Sequence, residues 1–214
     1  MPIRPENRHR SLHNYLSEPL ADFLTSEEQA AAALLTESFG ANITRTYQFW
    51  EAMVGRITGG TLTAFKCPWD IELPYGERPI RIEVKYAQES WCRFRAGTRA
   101  IFKFSAPKGE TTEKAVDVVV LIGIDALEHV HTWVAPASAV RKCRSITLTS
   151  PRYRLGGTSQ ARGIDEYRCP PTQTLPEVLR AYRDHHRETA ARTRRAAIEA
   201  AGQLPLQPLP GGAS

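Results

Sequence analysis

The clearest patterned stretch of the chain runs from Ile80 to Tyr86, where Ile80, Ile82, Val84 and Tyr86 alternate with Arg81, Glu83 and Lys85. Alternation of this kind marks a half-buried β-strand, apolar on one face and charged on the other. Asp70, Ile71, Glu72 and Leu73 alternate as well. Between the two runs, Pro74-Tyr75-Gly76-Glu77-Arg78-Pro79 is turn chemistry with a proline where each strand stops. The pattern predicts an antiparallel hairpin. With a symmetric loop, Pro74 faces Pro79, Glu72 faces Arg81 and Asp70 faces Glu83.

The rest of the chain predicts helices first and strands afterwards. Thr25 with Glu28, or Ser26 with Gln29, makes a capping box ahead of Ala30 to Leu35, and Gly40 offers the stop. Residues 43–57 predict a second helix, with Tyr47, Trp50, Val54 and Ile57 as its core-facing stripe. Short strands are expected at Thr61 to Phe65, Ala100 to Ser105, His129 to Val134 and Ser145 to Thr149. Ala115 to Ile124 is apolar throughout except Asp117 and Gly123, so both its faces must be covered. A short helix follows Pro136, and a long one runs from Leu175 to about Ala201, capped by Thr174 with Pro176 in its first turn. This order of elements reads as one α/β domain with a mixed sheet of about five strands flanked by helices. Residues 1–24 are expected to be a loose arm, 25–150 the core, 151–202 a basic loop and helix of the same domain, and 203–214 a Pro/Gly-rich disordered tail.

Composition narrows the class. The 214 residues are 42% hydrophobic and 24% charged, enough for one sizeable core. No run of eighteen apolar residues exists, and the first residues lack the apolar stretch of a signal peptide, so a cytoplasmic protein is expected, with no membrane partner. Cys67, Cys92, Cys143 and Cys169 are scattered without a Cys-x-x-Cys pair, which excludes a zinc ribbon or a disulfide frame. His129 and His131 alternate on one strand face but lack a suitably spaced cysteine or acid to make a zinc site.

Net charge is +5, and residues 141–168 alone carry that excess, with seven basic residues against two acids. A concentrated basic segment is the footprint of a phosphate-binding surface. Within it, Arg152, Arg154, Gln160 and Arg162 are the groups that would contact phosphates and base edges. Trp91, Arg93 and Arg95 place an aromatic among cations just past the hairpin, a mixture suited to stacking and gripping a backbone.

The hairpin itself carries the chemistry. Residues opposed on a sheet stand roughly 4.5–5.5 Å apart at Cβ, and like charges there are destabilising. Glu72 and Arg81 neutralise each other in this register, but Asp70 and Glu83 do not. Two such carboxylates call for a shared proton or a divalent cation. Lys85 lies about 6.6 Å further along the same face. Pro68-Trp69-Asp70 followed by Glu83-Val84-Lys85 resembles the signature of the PD-(D/E)XK nuclease superfamily, of restriction-endonuclease-like fold. The resemblance covers about residues 27–135.

The resemblance implies a DNA endonuclease dependent on Mg²⁺ or Mn²⁺, with Asp70, Glu83 and the Val84 carbonyl holding the metal and Lys85 completing the catalytic set. Members of this family often carry a further glutamate on a helix before the core sheet, and Glu37 is the matching candidate. A polar residue just past the Glu-x-Lys strand is also common there, which leaves Gln88 and Ser90 open. The reading carried forward is a site-specific restriction-type enzyme acting on double-stranded DNA as a homodimer. The alternatives are a nicking, repair or junction-resolving nuclease, or a catalytically silent DNA-binding module of a defence or phage complex.

Overall fold

In the computed structural model of the chain, the residues described are 17–40, 42–64, 67–95, 97–105, 116–140, 145–150 and 163–202. Strand β1 (Ser17–Pro19) leads into α1 (Leu20–Phe23), α2 (Ser26–Phe39) and α3 (Tyr47–Thr58). Five strands and a helical turn follow the first short strand β2 (Thr61–Leu62): β3 (Ile71–Leu73), β4 (Ile80–Phe94), β5 (Gly97–Ser105), β6 (Val118–Ile124), β7 (His129–Pro136) and α4 (Ala137–Val140). Strands β8 (Ser145–Thr149) and β9 (Arg168–Cys169) precede the 29-residue helix α5 (Thr174–Gly202). The fold is mixed α/β, as expected. No helix among the described residues is long and apolar enough to cross a membrane.

The helix boundaries follow local chemistry. Thr25 accepts from the Glu28 amide while the Glu28 carboxylate accepts from the Thr25 amide, the reciprocal box that starts α2. Gly40 ends α2 with φ of 66°, a left-handed conformation that costs glycine little. In α3 the expected stripe shifts: Trp50, Met53 and Val54 are buried, whereas Tyr47 is 54% exposed. Tyr47 is the first residue of the helix, just after the Thr46 cap, so it lies beyond the rim of the sheet. Ser17–Pro19, read from sequence as part of a loose arm, instead pairs with β7 at the sheet edge.

The main sheet has the order β1-β7-β6-β4-β3-β2, with β9 paired to β7. All of its pairings are antiparallel except β4 with β6, which run parallel from Ile82↔Val118 to Gln88↔Ile124. β6 is buried at every position, in keeping with its unbroken apolar sequence. One face packs Ile80, Ile82, Val84, Val118 and Val120 against Trp50, Met53 and Val54 of α3 and Val178 and Ala181 of α5. The opposite face packs Val119, Leu121 and Trp133 against Phe102, Phe104, Ile146 and Leu148.

β4 is twice as long as its apolar alternation implies. As far as Gln88 it pairs with β6, and from Glu89 to Phe94 it pairs with β5, which in turn pairs with β8. The strand thus leaves the main sheet and continues into a second, three-stranded one. The corner is closed by the Phe102 ring lying on Gly123, where a Cβ would stand 2.9 Å from the ring. Phe102 is fully buried and has no room to retreat. Gly123→Ala is therefore expected to destabilise the fold by about 1–3 kcal/mol through overpacking. Urea melts of the two proteins check this, and equal midpoints would show that the corner yields.

Candidate active site

The hairpin forms in the register that the two prolines imply: Ile71↔Ile82, Glu72↔Arg81 and Leu73↔Ile80. Glu72 stands opposite Arg81 but accepts from Trp69 Nε1 at 3.0 Å, and the Arg81 guanidinium lies 4.1 Å from the centre of the Trp69 ring. Arg81 is thus held by a cation–π contact where an ion pair was expected.

Asp70 sits one residue outside the ladder, at the end of a bend over residues 67–70. Its amide donates to the Ile82 carbonyl at 2.9 Å, and its carboxylate accepts from the Val84 amide at 2.6 Å. The side chain therefore caps the edge of β4 instead of standing square to Glu83. Among the described residues no strand pairs with β4 on this side between Glu83 and Gln88. Successive residues of a strand aim their N–H and C=O groups at alternate edges. The Arg81 backbone is bonded to Asp117 on the β6 side, so the Val84 carbonyl leaves β4 on the side of Asp70, at the open edge.

Glu83 and Lys85 project together from the opposite face of β4 to Val84. Glu83 is buried, at 5% exposure, and Lys85 pairs with it through Nζ and Oε1. A fourth charged group, on the helix that packs against the other face of β4, lies within electrostatic reach of them. Glu51, on α3 beside the core residue Trp50, has its pKa raised from 4.5 to about 7. Burial is the main cause, and the charges of Asp70 and Glu83 add to it, while Lys85 works the other way. Three carboxylates thus lie within electrostatic reach of a single ammonium.

The structure brings together Asp70, Glu83, Val84 and Lys85. Glu37 lies exposed near the C-terminal end of α2, with no contact to this group among the described residues. Glu51 is the helix acid that sequence reasoning passed over. The available signal was its place in the first turns of the helix just before the hairpin. Gln88 and Ser90 are both exposed, and Arg93 is exposed on the outer half of β4. Arg152, Arg154, Gln160 and Arg162 lie outside the described residues.

Two further polar groups prove structural. Asp117, buried at the start of β6, accepts from the Arg81 amide and from the Arg78 guanidinium, each at 3.0 Å. His131 is buried between Asp125 Oδ2 at 3.1 Å and the Arg168 guanidinium at 2.8 Å. Arginine can only donate, so His131 Nδ1 accepts and Nε2–H donates to Asp125. The ring is neutral, in agreement with the downward push of burial on its pKa.

The donor set suits a hard cation: the Asp70, Glu83 and Glu51 carboxylates and the Val84 carbonyl are all oxygens, as Mg²⁺ and Mn²⁺ prefer. Glu83 is engaged by Lys85 and Asp70 by the Val84 amide, and no three acid, His or Cys side chains among the described residues are already spaced as a metal cluster. The chemistry of the donors fits a divalent ion. The surroundings give Glu51 an excess proton affinity, raised first by burial and then by the neighbouring carboxylate charge.

That excess has a pH signature. With a folded pKa of about 7 against 4.5 ordinarily, the folded chain holds the extra proton, so Glu51's contribution to stability is present at low pH and lost as pH rises through this window. Glu51→Gln removes the titration. The variant should gain stability relative to wild type between about pH 5 and pH 8 in urea melts, whereas parallel profiles would show that Glu51 does not feel the acids.

No family model matches the chain, and no curated protein matches it. Among solved structures, it is similar to a bacterial homing endonuclease, I-Ssp6803I, at 14% identity and a TM-score of 0.36, over 60% of this chain and 89% of that one. A likeness of that size carries no conclusion about the activity of this chain.

Proposed function

We propose that the chain is a divalent-metal-dependent endonuclease that hydrolyses phosphodiester bonds of double-stranded DNA, of the site-specific restriction type and working as a homodimer. The observation that carries the reading is the bond of Asp70 to the Val84 amide at the open edge of β4 beside the Lys85–Glu83 pair, with Glu51 of α3 within electrostatic reach of all three charges. The concentration of positive charge in residues 141–168 supports a polyanionic substrate. In this reading Asp70, Glu83, Glu51 and the Val84 carbonyl hold Mg²⁺ or Mn²⁺, and Glu51 takes the helix position first assigned to Glu37.

A bound divalent ion would supply an activated water and offset the charge of the scissile phosphate. The residues of the chain do the rest. Asp70 fixes its carboxylate through the Val84 amide, so one ligand is oriented before anything binds. Lys85 brings a fixed positive charge to the side of Glu83, where charge develops on the phosphoryl oxygens. Glu51, which holds a proton to about pH 7 without a cation, would release it on taking up a divalent ion, so metal binding should free a proton near neutral pH. The open edge of β4 leaves one side of this group clear of any described strand, so a backbone phosphate can approach it.

Purified protein incubated with supercoiled plasmid and linear phage DNA, with Mg²⁺ or with EDTA, tests the reading. Discrete Mg²⁺-dependent fragments are expected, lost in Asp70→Asn and reduced about 10²–10³-fold in Lys85→Met. Because Lys85 occupies an oxygen of Glu83, the same Lys85→Met protein should bind Mn²⁺ about tenfold more tightly in calorimetry. A fully active Lys85→Met enzyme, or Mn²⁺ affinity unchanged by it, would remove Lys85 from the site. DNA left intact in every condition would sink the reading as a whole.

A further inference from the structure

The outer half of β4 and the facing part of β5 form a feature that the catalytic group does not use. Past the last residue paired with β8, Trp91↔Ala100, Cys92↔Arg99, Arg93↔Thr98 and Phe94↔Gly97 make a two-stranded ribbon. From Ser90 to Lys103 the sequence holds four cations, Arg93, Arg95, Arg99 and Lys103, and no acid. Arg93 and Arg95 are exposed and Arg99 is half-buried, and no ion pair engages any of the three among the described residues. Trp91 is 60% exposed at the base of the ribbon, a large apolar side chain beside cations.

The cations are not all on one side. Opposed residues of a ladder share a face, so Trp91 and Arg93 stand with Ala100 and Thr98, while Arg99 stands with Cys92 on the other. A surface that lies flat against a polyanion needs charge on one face only. A ribbon with cations on both faces matches a cleft with anionic walls on both sides. The major groove of B-DNA is such a cleft, about 12 Å wide and able to admit a two-stranded β-ribbon.

We infer that the β4–β5 ribbon enters the major groove of duplex DNA, with Arg93, Arg95 and Arg99 gripping the two walls and Trp91 packing at the groove mouth. The inference rests on the nuclease reading and adds the place where duplex is held. β4 is one continuous strand from Lys85 to Arg93, eight residues or about 26 Å at 3.3 Å per residue. With base pairs about 3.4 Å apart along the duplex axis and a corner in β4 on the way, the ribbon contacts base pairs within about eight positions of the bond that is cut.

The test is binding of a 40-base-pair duplex in EDTA across a salt series, with wild type, Trp91→Ala and the triple variant Arg93→Ala/Arg95→Ala/Arg99→Ala. Melting curves check that each variant keeps the fold. Each lost phosphate contact should flatten the slope of log affinity against log salt by about 0.9, so the triple variant should lose about 2.7. Trp91→Ala should weaken binding about tenfold or more with its slope unchanged. Ribbon-dependent duplex binding supports the inference even if plasmid is never cut, in which case only the catalytic reading falls. Duplex bound by the triple variant with wild-type affinity and slope overturns the ribbon and leaves the nuclease reading standing. Preference for single strands that is lost in Trp91→Ala also overturns it, because the occupant is then a stacked single strand. A change of oligomeric state in the triple variant with its salt slope intact does so too, the face then belonging to a second copy of the chain.

Discussion

The carboxylate of Asp70 accepts a hydrogen bond from the Val84 amide where a strand would otherwise have continued. β3 is only three residues long, and past Ile82 as far as Gln88 no strand among the described residues pairs with β4 on that side. One side-chain oxygen stands in for one ladder bond. That substitution satisfies the amide, and it leaves a carbonyl and two carboxylates at an edge that is clear. Had β3 run two residues further, the Val84 carbonyl would be spent on pairing and Asp70 would point elsewhere. The bend over residues 67–70, which contains Pro68, is what stops it.

The molecule holds two polar clusters of opposite character. Around His131 both ring nitrogens are matched: Arg168 gives to Nδ1, Nε2–H gives to Asp125, and Asp125 also accepts from the amides of Leu127 and His129. Burial works to raise the Asp125 carboxyl, yet these bonds hold it below its ordinary range. Near Asp70 the contrast is with Glu51, whose burial, and after it the charges of Asp70 and Glu83, keep its proton to about pH 7. The matched ring fastens β7 to β9. The acid-rich group leaves Glu51 with a proton affinity that a cation bound there would lower.

The hairpin was legible because its rules are local. Two prolines bracket the turn, and the alternation fixes which residues face each other, so Glu72 opposite Arg81 follows from sequence alone. The cap of α2 and its glycine stop follow equally directly. Glu51 was hidden because helical periodicity sorts residues by the face that packs, and Glu51 lies next to Trp50 on a helix read as core. Its role depends on where the sheet edge falls, which no local pattern states. Glu37 drew attention for its position ahead of the sheet, but α2 buries only Ala32 and stands apart from the acid group. The outer half of β4 was missed for a related reason: its side chains are mostly exposed, so apolar alternation fades while the strand goes on.

Because β4 serves two sheets in turn, its length ties their orientations together. Side chains alternate with period two, so adding or removing one residue between Gln88 and Trp91 would turn the ribbon over relative to Lys85. Every arginine there would change faces at once, although none had been altered. Adding two residues would restore the facing and carry the ribbon outward by about 6.6 Å. Descendants of this chain that differ in length at that point would therefore fall into two families by parity. Even changes would preserve the present arrangement at a new distance, and odd ones would have to rebuild it.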